Sequence, residues 1–459
     1  MVDYRTQKIL LSDKIDDEVE AYLLWCCYQS NSLYNSALFV VRQSHFEECE
    51  TRTFFAQNDM YRIAFKARYV KASYAQLCKD FKTNKHYLAL GGQQGQQCLK
   101  SVVEGINSYN QLLKKYWQRK IKDKPKIPGY RKSKSLYQVA FPAQAVRYNH
   151  QEKTCNLAIS KECKPELVNQ KITIPAGHGF TSEQLAEVRI VPSNGRLWAE
   201  YVYKVEQEQA VGLDFSLAIG IDPGVSNWLS ITSNQGKSFI VCGRKIKSIN
   251  QRYNKKVAQY KKRKPQKYWD DYLANLTHKR NCQMRDACSK AARFVINYCL
   301  NHGIGNIVFG WGQGVKTNSN LGGRNNQNFV QIPTARLKNR IQELAESVGI
   351  VFTETEESYS SKTSFLDGDF LPKYGGEKPP QWKPSGRRVT RGSYKTAQGK
   401  LISCDAQAAA NIMRKARTQL GISLAEIRRE CLTVPKRYDL TCLSKSYRKR
   451  AETTLQLVL

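Results

Sequence analysis

A multidomain α+β chain is expected from three observations. The first third carries apolar residues at helical spacing. The next stretch, Ser135 to Glu206, breaks into short alternating strands separated by turns. From residue 211 the apolar runs follow the order β-β-β-α-β-α-β-α. At 459 residues two to four domains are expected, and 41% hydrophobic content supports packed cores rather than low-complexity disorder.

The elements follow in order. Arg5-Thr-Gln-Lys-Ile-Leu-Leu reads as a strand. Lys14 to about Gln118 reads as mostly helical, with one stripe of Val19, Tyr22, Leu23 and Cys26 and another of Val102, Val103, Ile106, Tyr109 and Leu112. Between them, Gly91-Gly-Gln-Gln-Gly-Gln-Gln reads as a helix start. Residues 114–134 hold ten Lys/Arg and one Asp, with Pro125, Pro128 and Gly129 breaking the helix. Tyr137-Gln-Val-Ala-Phe, Ile172-Thr-Ile, Val188-Arg-Ile-Val and Leu197-Trp-Ala-Glu-Tyr-Val-Tyr read as strands of a small β-barrel. The first strand contributes to this barrel, and the helical region is inserted in it. Segment boundaries are therefore 1–13, 14–120 (helical), 121–210 (barrel), 211–415 (α/β) and 416–459, a tail with basic residues and no motif.

In the α/β region, Leu217-Ala-Ile-Gly-Ile climbs to Asp222, and Pro223-Gly turns the chain out. Trp228-Leu-Ser-Ile-Thr-Ser and Ser238-Phe-Ile-Val-Cys follow as a hairpin around Asn234-Gln-Gly. A basic helix comes next, with Ile246, Ile249, Tyr253, Val257 and Tyr260 as its apolar stripe. Further elements are a helix from Met284 to Leu300, a strand from Ile304 to Phe309, a helix from Thr334 to Val348 and a strand from Ile350 to Thr355. A last helix starts near Asp405.

Charge narrows the partner. The 73 Lys+Arg against 39 Asp+Glu, a net charge of +34, repel one another in a compact fold unless a polyanion is bound. Eleven of residues 244–267 are Lys or Arg and none is acidic. Lys255, Lys256, Lys261, Lys262, Arg263 and Lys264, with Arg131, Lys132 and Lys134 of the earlier run, are the candidate nucleic-acid contacts. A solvated helix face is the simpler alternative for such a run. No apolar run is long enough to span a bilayer, and the N-terminus lacks a signal-peptide core. Fourteen cysteines without a Cys-x-x-Cys suggest reduced thiols of an intracellular, cytoplasmic protein.

Three motifs in order carry a resemblance. Gly220-Ile-Asp-Pro-Gly-Val, Glu357-Ser-Tyr-Ser-Ser-Lys-Thr and Cys404-Asp-Ala-Gln-Ala-Ala-Ala-Asn-Ile, with Pro128-Gly-Tyr-Arg-Lys-Ser-Lys ahead of the barrel, resemble the TnpB (OrfB) family. These are transposon-encoded RNA-guided nucleases related to type V CRISPR nucleases. The resemblance spans about residues 1–415. It implies a ribonuclease H-like (RuvC) nuclease domain, a β-barrel wedge domain and an inserted helical recognition domain. It also implies a guide RNA from the transposon end, a double-stranded DNA target beside a short flanking motif, and Mg²⁺ (or Mn²⁺) chemistry.

Two departures stand out. Gly310 occupies the position of the family's middle catalytic Glu. The nuclease is then inactive, or the placement is wrong, or the acid comes from Thr353-Glu-Thr-Glu-Glu. The last is favoured, with Glu357 first and Glu356 second. In a strand adjacent residues face opposite sides, so only one of them can serve. The simpler alternative is a pair of exposed acids at a strand–loop junction. Residues 362–403, where the family carries a four-Cys zinc ribbon, contain no Cys or His, so no zinc is expected there. Arg388 to Lys395 and Lys400 to Ser403 still suit a hairpin.

Phosphodiester hydrolysis by two divalent ions ~3.5–4 Å apart needs hard carboxylate ligands. Asp222, Glu357 (or Glu356) and Asp405 are the candidate catalytic and metal-binding set. For Asp405 helix N-capping is the alternative. Without metal such acids raise one another's pKa. The expected activity is RNA-guided DNA cleavage. The alternatives are a cleavage-dead RNA-guided binder acting as a repressor and a transposase doing its own strand transfer.

Overall fold

In a computed structural model of the protein, residues 2–48, 51–55, 61–65, 69–149, 151–163, 171–206, 212–312, 332–373, 379–441 and 443 are described. They fall into two units, Met1–Glu206 and Gln207–Leu459.

The first unit runs β1 (Val2–Leu10), α1 (Asp17–Glu48), β2 (Thr51–Phe55), β3 (Tyr61–Phe65), α2 (Tyr74–Asp80), α3 (Lys85–Leu90), α4 (Gly92–Trp117) and β4 (Val139–Pro142). It continues with β5 (Val146–Asn149), β6 (Thr154–Leu157), β7 (Ile172–Pro175), β8 (Leu185–Ser193) and β9 (Arg196–Glu206). Where the sequence suggests a small barrel, the strands form two antiparallel sheets, β1-β9-β8-β4 and β5-β6-β7. The N-terminal strand does join the later strands, from Val2 opposite Glu206 to Leu10 opposite Trp198.

Helix α4 starts within the Gln-rich stretch, after Gly91 at φ +86°. It buries Leu99, Val102, Ile106, Tyr109 and Leu113, residues three or four apart. Leu113, not Leu112, closes this stripe. Leu112 is exposed, because the 3.6-residue period carries the inner face from Ile106 and Tyr109 to position 113. The hairpin β2–β3 interrupts a region expected to be helical. Its Thr-Arg-Thr-Phe-Phe and Tyr-Arg-Ile-Ala-Phe runs have the β-branched and aromatic content of strands.

The second unit contains β10 (Asp214–Pro223), β11 (Asn227–Ser233), β12 (Lys237–Cys242), α5 (Arg244–Lys261), α6 (Asp271–Asn301), β13 (Ile304–Gly310), α7 (Thr334–Glu346) and β14 (Val351–Thr355). After these come β15 (Arg387–Arg388), β16 (Ser393–Lys395), β17 (Leu401–Ser403), α8 (Cys404–Leu420), α9 (Arg429–Thr433) and β18 (Lys436–Tyr438). A six-stranded mixed sheet has the order β14-β13-β10-β11-β12-β18. Strands β14, β13 and β10 are parallel, β11 is antiparallel to its neighbours, and β18 is parallel to β12. Alternate residues divide the sheet faces. Ile219, Ile221, Ile307 and Phe309 belong to the same core as α6 and α7, and Ala218 and Val308 to the same core as α8.

Helix α6 begins at Asp271, well before the expected Met284, because Asp270 caps it by accepting from the Leu273 amide at 3.0 Å. Within the expected tail, Lys436–Tyr438 forms β18 and extends the sheet at β12, and residues 442 and 444–459 lie outside the described residues. The short Lys-Arg-Tyr run gives too weak a periodic signal to be read as a strand. The hairpin expected between 388 and 403 is present as the small sheet β15-β16-β17.

Among the described residues no helix is long and apolar enough to cross a membrane. Their cysteines are free thiols. Burial pushes Cys26 and Cys98 up to about 12, well away from reactive thiolates.

Candidate active site

The β10 strand ends at Asp222 because Pro223-Gly224 reverses the chain into β11. A Cβ on Gly224 would come within 2.3 Å of the Asn227 carbonyl, so only glycine lets this turn close. Gly220, two residues earlier on the same face, sets the approach of α8. A Cβ there would stand 2.1 Å from the Ala409 carbonyl oxygen, so helix backbone lies directly on strand backbone. The small side chains of Ala408, Ala409 and Ala410 are fully buried. Thr232 Oγ1 donates to the Ala406 carbonyl at 2.9 Å and fixes the helix end on β11.

Asp405 lies one turn before Ala409, in the first turn of α8. It is not the cap. Ser403 takes that role, accepting from the Ala406 amide at 3.4 Å. Asp405 instead accepts from Asn227 Nδ2 at 2.5 Å.

Position 310, where the middle acid is expected, is a glycine. In the sheet Ile221 pairs with Phe309, so Gly310 is next to Asp222's position, and Gly310 pairs with Thr355 of β14. A Cβ at 310 would lie 2.4 Å from Ile412 Cδ1, so the Ile412 side chain would have to shift to admit it. The chain beyond Thr355 brings Glu356 and Glu357, both past the strand, and they part company. Glu356 is ion-paired with Lys415 of α8 and accepts from the Ser358 amide at 2.9 Å. Burial works against its ionised form, but the ammonium and the hydrogen bonds hold its carboxyl below the ordinary range. Lys415, almost fully buried, also donates to the Glu356 and Ser358 carbonyls. Glu356 is thus committed to a buried cation.

Asp222 carries the electrostatic signature of the site. Burial first, then the charges of Asp405 and Glu357, raise its carboxyl well above the ordinary range, and Arg388 of β15 pulls the other way. The carboxylates of α8 and the β14 exit thus act on the one at the end of β10. All offer the hard oxygen donors that suit a divalent cation. Among the described residues no three Asp, Glu, His or Cys side chains are already arranged as a metal-binding group. The fit rests on donor chemistry and on the raised carboxyl of Asp222.

The region without zinc-ribbon cysteines is tied by hydrogen bonds. Asp367 Oδ2 accepts from Ser364 Oγ at 2.6 Å, the Ala397 amide at 2.8 Å and Ser385 Oγ at 3.1 Å. Asp369 Oδ2 accepts from the Ser364 and Ser385 amides, both at 3.0 Å. Asn411 of α8 donates to the Ser360 and Thr363 carbonyls at 2.8 Å.

The basic candidates divide. Lys255 and Lys256 within α5, and Lys262 and Arg263 just past it, are exposed, and Lys261 at its end is half-buried. Lys264 is engaged, 3.5 Å from Asp270 and lying over the Tyr260 and Tyr268 rings. In the first unit, Arg131 lies over Tyr34 and Tyr137, while Lys132 and Lys134 are exposed. Asn35 Nδ2 and Arg42 pin this loop through the Arg131 and Pro128 carbonyls.

Arg388, Lys415, Asn227 and Arg437 were not singled out by sequence reasoning. Asn227 follows the Asp-Pro-Gly turn closely enough to have been flagged as a polar neighbour of Asp222. The other three are isolated basic residues, and nothing in one sequence marks them out.

Residues 200–311 match the OrfB_IS605 family, described as a probable transposase. No curated protein matches in sequence. Among solved structures, a Cas12f1–sgRNA–target DNA complex matches at 13% identity and a TM-score of 0.54, over 90% of this chain and 98% of that one. A CRISPR-Cas12f ternary complex matches at 13% identity and a TM-score of 0.31, over 87% and 86%. The first likeness establishes a shared fold. The family match across β10 to β13 supports the TnpB (OrfB) resemblance that the ordered motifs carry.

Proposed function

We propose that the protein is an RNA-guided, divalent-metal-dependent DNA endonuclease of an insertion sequence, cutting beside a short flanking motif. The observation that carries this reading is the action of Asp405 and Glu357 on the raised carboxyl of Asp222 at one end of the mixed sheet. In this reading the second unit is a RuvC-like nuclease domain and the first supplies the wedge and recognition domains. The guide comes from the transposon end, and the complex works in the cytoplasm on nucleoid DNA. The Cas12f1 neighbour is solved with sgRNA and target DNA, which supports RNA and DNA as partners of this basic chain as well.

Asp222, Glu357 and Asp405 would hold Mg²⁺ or Mn²⁺, and no zinc is required. When bound, the ions supply an activated water and neutralise the charge that builds on the phosphate. The chain's own contribution is positional. Gly220 admits α8 to the sheet, Ser403 frees Asp405 from capping, and Lys415 engages Glu356, which leaves Glu357 as the acid proposed to act with Asp222. Arg388 adds positive charge beside an otherwise anionic cluster.

The cleavage-dead alternative rests on Gly310, and Glu357 supplies the acid that Gly310 lacks. The test is to purify the protein with its bound RNA, sequence that RNA and offer matching DNA with Mg²⁺. Cleavage that Asp222→Ala and Asp405→Ala each abolish, with RNA and DNA binding retained, is the expected result. A wild type that binds its guided target and never cuts it overturns the endonuclease reading.

A further inference from the structure

The segment past residue 415 returns a cation to the edge of the site. Strand β18 pairs with β12, with Arg437 opposite Ile240. Arg437 Nη1 donates to Asn227 Oδ1 at 3.0 Å, and Asn227 Nδ2 donates to Asp405 Oδ2 at 2.5 Å. This chain has a direction. A guanidinium only donates, so it accepts no contact with the NH₂ end of an amide, and a carboxylate only accepts. The amide of Asn227 therefore has one satisfactory orientation between Arg437 and Asp405. Its backbone is fixed as well, since Gly224 closes the turn against the Asn227 carbonyl.

We propose that Asn227, oriented by Arg437, is a positioning residue. It engages one oxygen of Asp405 and leaves the other for the metal, while Arg437 brings a solvent-exposed positive charge to the rim where phosphate would lie. The inference rests on the metal-dependent reading above and adds to it the strand that delivers Arg437. A carboxylate without its outer hydrogen bond rotates more freely and binds metal less well. Loss of such partners typically costs about 10–100-fold in metal affinity or activity.

The test is Mn²⁺ binding by calorimetry on the purified wild type, Asp222→Ala, Asn227→Ala, Arg437→Gln and Arg437→Lys proteins, with melting in chelator as the fold control. DNA cleavage is then measured against Mn²⁺ concentration. The expected result is that Asn227→Ala weakens Mn²⁺ binding by about 10–100-fold. The midpoint of its cleavage curve should move to higher Mn²⁺ by a similar factor, with guide-RNA binding unchanged. Arg437→Gln should shift the same way by less, and Arg437→Lys should recover part of the loss. Arg437 is exposed, so its variants read the effect even if Asn227→Ala folds poorly. Wild-type Mn²⁺ affinity in both Asn227→Ala and Arg437→Gln overturns this inference alone. A wild type that binds no Mn²⁺ beyond Asp222→Ala overturns the metal-dependent reading and this inference with it.

Discussion

Adding one methyl group at Gly220 should disable the site from a distance. The new Cβ would lie 2.1 Å from the Ala409 carbonyl oxygen and 3.0 Å from Met413 Cβ, and ordinary contact begins at 3.4 Å. Relieving the carbonyl contact moves strand and helix apart by about 1.3 Å, from 2.1 to 3.4 Å. A main-chain oxygen in a helix cannot swing aside, so α8 moves as a body and carries Asp405 with it. A displacement of about 1 Å at a reacting centre can cost about 100-fold in rate. Overpacking of this kind costs about 1–3 kcal/mol of stability. In a unit of this size that lowers the melting temperature by about 2–4 °C per kcal/mol.

Gly220→Ala should therefore remain folded and bind guide RNA, yet cleave about 100-fold more slowly than wild type. The assay is single-turnover cleavage of guided DNA at saturating Mg²⁺, beside thermal melting. Gly392→Ala is the control, since a Cβ there meets nothing within 4 Å. Cleavage by Gly220→Ala within a few-fold of wild type would refute the claim that this close approach sets the Asp222–Asp405 geometry.

Four further outcomes follow from named contacts. Glu357→Gln should slow cleavage at least about tenfold, because an amide supplies no charge to hold Mg²⁺. Glu356→Gln should cut nearly normally but lose up to about 3 kcal/mol of stability by leaving buried Lys415 with a neutral partner; equal kinetic losses in the two would remove the distinction drawn between them. The raised carboxyl of Asp222 keeps its proton in the folded state at pH values where the unfolded chain, titrating near 3.9, has lost it. Wild-type stability in chelator should therefore fall, relative to Asp222→Asn, as pH rises from about 4 toward the folded-state value; parallel melting curves for the two proteins across that range would count against the repulsion. Purified protein should contain no stoichiometric zinc and keep its fold in chelator, while Asp367→Ala, which strips an acceptor from three donors, should cost about 1–3 kcal/mol; one zinc per chain by elemental analysis would contradict this. Neutralising Lys261, Lys262 and Arg263 should flatten the salt dependence of nucleic-acid binding by about 0.7–0.9 per lost contact, whereas an unchanged slope marks the run as a solvated face.

Much of the second unit was legible because its signals are local. Alternation and turn chemistry mark β10 to β12, and the Ala-rich run marks α8. What was hidden depends on pairs distant in sequence. Leu112 and Leu113 cannot be ranked without knowing what α4 packs on. Lys264 belongs to a basic run in sequence, but in space it is held by Asp270, Tyr260 and Tyr268. Strand β18 is three residues long and exists only because the edge of β12 accepts it.

On the proposed reading, in which Glu357 stands in for the acid absent at Gly310, a missing motif residue does not mean a missing function. A carboxylate at position 310 would stand beside Asp222 only if α8 left room, and Ile412 occupies that room. Restoring the Glu alone should therefore harm the protein. Gly310→Glu meets Ile412 Cδ1 at 2.4 Å from its own Cβ, and it adds an acid beside Asp222, whose carboxyl the charges of Asp405 and Glu357 already raise. The same packing surface makes the substitute workable. Ile412 and Lys415 lie three residues apart on α8, so one helix face both closes the old position and, through Lys415, takes up Glu356. Glu357 is the acid of this pair whose charge acts on Asp222. Reducing Ile412 to Ala should make room for Gly310→Glu without restoring a requirement for it. The double variant should stay dependent on Glu357, because the β14 exit and its Lys415 anchor are unchanged. Cleavage by Ile412→Ala/Gly310→Glu that survives Glu357→Gln would show instead that position 310 can take over, and that Glu357 serves only for want of a carboxylate there.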